Sequence, residues 1–298
     1  MRGATPASLH AEAVAGSRRA LARLLTEVED GRASPSDFDH HGAVLGRSLA
    51  ITGPPGVGKS CLIDHMLRAW ATQGRSTALL AIDPSSSLSG GALLGDRIRL
   101  TAPDEQDIAD RIYVRSVATR RATGSVPTVL GDLVRTLHLC GWEQVLIETV
   151  GAGQSEVRCA AVADRIVLVE GPARGDAVQA EKAGLLELAD LVLVNKADLD
   201  GADRHASELR DALSLNEGTP PAVLLVSAKT RDGLDEAMEV LADLPERPGS
   251  SRARARERLA NAVERYLTGH DDYESMLADI ATGRRSVEEV MGVLWRDQ

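Results

Sequence analysis

The sequence predicts an α/β fold: a doubly wound, mostly parallel sheet covered by helices on both faces, with helical extensions at its two ends. Three observations predict it. Short runs of Val, Leu, Ile and Ala recur seven times between residues 49 and 226, too brief for helices and too continuously apolar for half-exposed strands. Helical patterns long enough to cross back over a sheet separate them, which calls for parallel pairing through right-handed crossovers. A glycine-rich turn stands where the first strand meets the first of these helices.

Each element has its own signal. Over 17–29, Ala20, Leu21, Leu24, Leu25 and Val28 form one stripe, so this segment is an amphipathic helix that packs on the core before a polar loop over 31–41. Strands are expected over 49–52, 78–82, 112–115, 145–148, 166–169, 191–194 and 223–226. Helices are expected over 61–73, 126–140, 155–163, 176–189, 203–215 and 234–244. Pro248-Gly249-Ser250-Ser251 reads as a linker. Beyond it, a run with Arg252, Arg254, Arg256 and Arg258 leads into helical segments over 259–267, 273–282 and 287–295. The expected organisation is an extension over 1–42, a central domain over 43–247 and a C-terminal helical segment over 248–298, the last a dimerisation or partner surface.

Composition bounds the function. With 298 residues, 43% hydrophobic and 26% charged, the chain can bury a sizeable core. A net charge of −10 and 2% aromatic residues argue against a nucleic-acid partner, which would need cationic surface and rings for base stacking. No apolar run approaches the roughly 20 residues that span a bilayer, and the first residues lack a secretory apolar stretch, so no membrane partner is expected. Cys61, Cys140 and Cys159 are odd in number and far apart, and read as small core residues of a reducing compartment. The expected location is the cytoplasm.

The glycine-rich turn is Gly53-Pro54-Pro55-Gly56-Val57-Gly58-Lys59-Ser60, a complete G-x-x-x-x-G-K-[ST] phosphate loop, with Cys61 following it into the helix. Glycine lets successive backbone N–H groups turn inward around phosphate where a Cβ would obstruct. Lys59 reaches the β- and γ-phosphates and the Ser60 hydroxyl is a ligand for Mg²⁺. A second motif selects the base. Asn195-Lys196-Ala197-Asp198 ends an apolar strand, where the Asp198 carboxylate can accept from both the N1–H and the 2-amino group of guanine. Adenine offers neither donor. Ser227-Ala228-Lys229 ends the next strand with a loop whose backbone can contact the guanine O6.

Between these motifs lies the hydrolytic chemistry. Glu148-Thr149-Val150-Gly151 is a D-x-x-G-like strand end with Glu in place of Asp. Its carboxylate stands beside the metal, able to hold a metal-bound water or orient the attacking one, while Gly151 lets a backbone N–H approach the γ-phosphate. Asp83 and Asp96 flank a Ser/Gly-rich stretch suited to a switch that folds over Mg²⁺ when the γ-phosphate is present. The residues thus describe a GTPase using GTP/GDP and Mg²⁺, with Lys59, Glu148 and Asp96 as its catalytic set.

Several longer strings carry a resemblance. The phosphate loop, D-P-S-S followed by G-G-A-L-L-G-D-R-I-R, V-R-S-V-A-T-R at 114–120, E-T-V-G-A-G-Q-S-E at 148–156, G-D-A-V-Q-A-E-K-A-G at 175–184 and N-K-A-D together resemble the methylmalonyl-CoA mutase-associated GTPases. Members of that family have also been labelled arginine/ornithine transport kinases. The resemblance covers nearly the whole chain to about residue 245. It implies a G3E-class phosphate-loop GTPase that is typically a homodimer and acts as chaperone of an adenosylcobalamin-dependent acyl-CoA mutase. It also implies metal ligation by Ser60, Asp83, Asp96 and Glu148, and an extra switch facing the mutase that contains Asp176, Gln179 and Lys182. The chain departs from the family where Cys61 replaces a usual Thr and where Glu170-Gly171-Pro172-Ala173-Arg174 leads into the extra switch.

Two other functions compete. A metal-delivery GTPase of the same class would carry a Cys-Pro-Cys or C-x-C-C element or a His-rich tract, and His40-His41 is too short for one. A kinase of amino-acid transport proteins would need a second substrate motif, and none is seen.

Overall fold

The computed structural model describes residues 4–38, 46–84, 100–119, 129–149, 160–172, 185–214, 219–245 and 250–294. Seven strands form one sheet: β1 Arg47–Thr52, β2 Thr77–Pro84, β3 Ile112–Thr119, β4 Gln144–Glu148, β5 Arg165–Glu170, β6 Leu191–Val194 and β7 Ala222–Leu225. Each overlaps one of the seven expected runs, with β3 running on to Thr119 where the expectation stopped at 115. Their order is β3-β2-β4-β1-β5-β6-β7, and every described pairing is parallel. The central strands are apolar on both sides because both faces are covered.

One face is covered by α3 (Lys59–Thr72) and α6 (Leu234–Ala242), whose Leu62, Ile63, Met66, Leu67, Trp70, Leu234, Ala237 and Leu241 pack with Ile51, Leu146 and Val167 of the sheet. The opposite face is covered by α4 (Leu130–Leu139), a helical turn over 185–188 and α5 (Ala202–Ser214). The helix expected from 126 is described from 130. The starts of those expected over 155–163 and 176–189 lie outside the described residues.

The N-terminal extension packs on this second face. Helix α2 (Arg18–Glu29) is capped by the Ser17 hydroxyl, which accepts from Ala20 N at 3.2 Å, and all five residues of its apolar stripe are buried. Two arginines fasten it. Arg115 of β3 binds Glu29, Thr26 Oγ1 and the Ala22 carbonyl, and Arg18 donates to the carbonyls of Ile112, Ala109 and Asp110 while its guanidinium lies 4.8 Å from the Trp142 ring centroid. An additional helix, α1 (Pro6–Val14), precedes it. Thr5 caps it and Pro6 opens it, a start signal that its weak apolar stripe, with only Leu9 and Ala13 buried, leaves easy to overlook.

The chain divides into two compact units, 1–257 and 258–298, with the division inside helix α7 (Ser250–Thr268). The second unit also contains α8 (Tyr273–Ala281) and α9 (Val287–Leu294), and its small core gathers Met276, Val290 and Leu294. Tyr266 fixes this unit internally, its hydroxyl donating to the Leu294 carbonyl at 3.1 Å.

Candidate active site

The strand order places the site. The chain leaves β1 toward β2 on one side and leaves β5 toward β6 on the other, so the carboxyl ends of β1 and β5 flank a topological switch point. The phosphate loop rises there. Gly53 has φ +141°, and a Cβ on it would lie 2.1 Å from the Val169 carbonyl oxygen of β5, so only glycine admits this approach. Gly58 has φ +100°, and a Cβ there would strike the Asn195 amide at 2.3 Å. Lys59 is buried at the start of α3, and its ammonium donates to the carbonyls of Gly53 at 2.8 Å and Pro54 at 3.0 Å. Ser60 follows, its hydroxyl donating to Glu148 Oε1 at 2.8 Å.

That last contact joins two expected site residues from distant positions. Glu148 ends β4 beside Ile51 of β1, and it is buried with Ser60 at the mouth of the phosphate loop. A hydroxyl and a carboxylate oxygen converging here make the hard donor pair that Mg²⁺ favours. Asp83 is the penultimate residue of β2 by its backbone, and its side chain lies outside what is described. Asp96, Gly151, Asp176, Gln179 and Lys182 lie outside the described residues.

The motifs expected to read the base assemble beside the loop. Asn195 is 2% exposed, with its amide nitrogen donating to the Val57 carbonyl at 2.8 Å and its Oδ1 accepting from Ala228 N at 3.0 Å. It therefore braces the phosphate loop against the Ser227–Lys229 loop, a role the motif alone does not reveal. Lys196 adopts φ +65°, a conformation costing on the order of 1 kcal/mol for a residue with a Cβ, and its ammonium donates to the Gly56 carbonyl at 2.8 Å. Asp198 accepts from Ser227 Oγ at 2.7 Å, with Lys229 Nζ 4.0 Å from its other oxygen. The Ser227 hydrogen bond chiefly holds this carboxyl below its ordinary range, and Lys229 and Lys196 add to it. Asp198 is thus ionised at neutral pH, with the acceptor character that the guanine edge requires.

One expectation is corrected. Cys61, read as a core residue, is exposed. The buried stripe of α3 runs through Leu62, Ile63, Met66, Leu67 and Trp70, and position 61 lies off it. Cys140 is buried as expected, and burial pushes its thiol up to about 12. Cys159 lies outside the described residues.

A further contact of the phosphate-loop helix has only a faint sequence signal, a carboxylate on its buried face. Asp64, four residues beyond Ser60, accepts from Thr101 N at 2.7 Å, Ala102 N at 2.8 Å and Thr101 Oγ1 at 2.9 Å, and pairs with Arg68 at 3.1 Å. It ties the chain entering β3 to the phosphate-loop helix.

The family profile described as "Methylmalonyl Co-A mutase-associated GTPase MeaB" matches residues 21–275. The chain belongs to that family. This member of the methylmalonyl-CoA mutase-associated GTPases is 36% identical over 266 residues to a Pyrococcus abyssi relative whose name ascribes to it a GTPase activity, covering 85% of this chain and 81% of the relative. The mouse methylmalonic aciduria type A homolog is 34% identical over 231 residues, 75% of this chain and 55% of the mouse protein. The fused isobutyryl-CoA mutase of Cupriavidus metallidurans is 39% identical over 196 residues, 63% of this chain and 18% of the fused protein. A solved LAO/AO transport system kinase superposes with TM-score 0.64 at 22% identity over 99% of this chain and 98% of its own, which establishes the fold. With family and phosphate loop in agreement, the enzyme is a GTPase of the phosphate-loop class.

Proposed function

We propose that this GTPase is the chaperone of an adenosylcobalamin-dependent acyl-CoA mutase, methylmalonyl-CoA mutase or a relative, gating cofactor loading and protecting the mutase. The reading rests on a family named for mutase association and on a relative in which the matching region forms part of a fused isobutyryl-CoA mutase. Covalent fusion raises the effective concentration of one partner at the other, and it preserves a working contact that separate chains must make by affinity.

In this reading the phosphate-loop N–H groups and Lys59 bind the β- and γ-phosphates, and Asp198 with the Ser227–Lys229 loop reads guanine. Ser60, Glu148, Asp83 and Asp96 are the residues that would hold Mg²⁺, which when bound neutralises charge on the phosphate oxygens. Glu148 orients the attacking water, and Gly151 admits a backbone N–H to the γ-phosphate. Asp176, Gln179 and Lys182 carry the nucleotide state to the mutase. The protein works as a cytoplasmic homodimer. The homodimer is supported by Leu259, Val263 and Tyr266 of helix α7, exposed at helical spacing.

The test is GTP turnover with and without a purified cobalamin-dependent acyl-CoA mutase from the same organism. Acceleration, or a complex that forms with one guanine nucleotide and not the other, is expected. The absence of both overturns the chaperone role.

A further inference from the structure

We infer that His65 is a positioning residue for guanine recognition, holding the base-reading loop to the helix that carries Lys59. The inference rests on the guanine reading above. His65 lies on α3, half-buried, and its Nε2 stands 2.9 Å from the Ala228 carbonyl oxygen. A carbonyl only accepts, so Nε2 carries the proton in this contact. The N–H of the same Ala228 donates to Asn195 Oδ1 at 3.0 Å. Both backbone groups of Ala228 are therefore held by side chains from different elements, the end of β6 and the phosphate-loop helix.

The loop needs such an anchor. It follows β7, which among the described residues is an edge strand paired with β6, and its Lys229 side chain is 84% exposed. On that outer side no further strand fixes its position among the described residues. A backbone donor reaches the guanine O6 only when it stands within a few tenths of an ångström of hydrogen-bond distance, since the interaction weakens steeply beyond it. His65 fixes that distance by tying the base-side loop to the same helix that starts at the phosphates. Asp198 reads N1–H and the 2-amino group independently, so the two contributions separate by nucleotide.

The experiment compares dissociation constants of GDP, IDP and ADP for the parent, His65→Ala and His65→Gln. IDP keeps the 6-oxo group and lacks the 2-amino group; ADP lacks the 6-oxo group. His65→Ala is expected to weaken GDP and IDP by the same factor, about tenfold, or 1.4 kcal/mol, and to leave ADP within about twofold. Glutamine, whose amide can donate to the same carbonyl, is expected to recover most of the loss. Should alanine fail to fold, His65→Leu fills the space without a donor and makes the same comparison against glutamine. Equal loss for GDP and ADP, a larger loss for GDP than for IDP, or no loss for GDP overturns the role. A parent protein that binds ADP as tightly as GDP overturns instead the guanine reading on which it depends.

Discussion

Glu148 and Asp198 are both carboxylates at the carboxyl ends of strands, and their neighbours separate their tasks. Glu148 is buried against Ser60, where an acid can act on metal and water; Asp198 is ionised beside Ser227, where it can accept from a base. Glu148→Ala is therefore expected to retain nucleotide while slowing single-turnover hydrolysis by about 100-fold. Lys59→Ala is expected to abolish tight triphosphate binding in the same assay. Asp198→Asn should lose GTP and gain xanthosine triphosphate, because the amide offers a donor to the 2-oxo group; competition binding with both nucleotides checks it. These residues stand out in the sequence because binding phosphate and guanine would call for fixed spacings on one stretch of chain. The brace at Asn195 and the anchor at Asp64 do not, since each depends on partners that only folding brings near.

Among elements, the strands were the most legible. Central strands buried on both faces must be apolar, so their short runs declared themselves, the half-buried edge strands β3 and β7 less cleanly, and helix α2 declared itself by one buried stripe. Leu24 of that stripe is fully buried, and Leu24→Ala is expected to cost about 2–5 kcal/mol in denaturant unfolding. Helix α3 carries a pH-dependent contribution through Asp64. Burial would raise this carboxyl, but hydrogen bonds from Ala102 N and Thr101, with the Arg68 charge, outweigh it and hold the pKa below the ordinary carboxylate value. A depressed folded pKa means that the stabilisation is complete above the unfolded value of about 4 and is lost as pH falls through the folded one. Urea midpoints measured from pH 7 to pH 3 should therefore fall more steeply for the parent than for Asp64→Asn.

At the scale of the whole molecule, a nucleotide-gated chaperone obeys linkage. If the mutase binds the GTP and GDP forms with different affinities, it must shift the affinity ratio of the two nucleotides by the same factor, which titrations in both directions can compare. The order β3-β2-β4-β1-β5-β6-β7 puts β1 in the middle, flanked by three strands on either side. In the unit over 258–298, by contrast, the core among the described residues is the small cluster of Met276, Val290 and Leu294. This difference sets a hierarchy of opening. Amide protons of β1 and β4 should exchange with deuterium only through global unfolding, whereas those of α8 and α9 should exchange through cheap local openings. A labelling time course would then resolve the chain into an early-exchanging C-terminal unit and a late-exchanging strand that ends at the phosphate loop, so the loop would stay formed while the helices beyond residue 258 open and close.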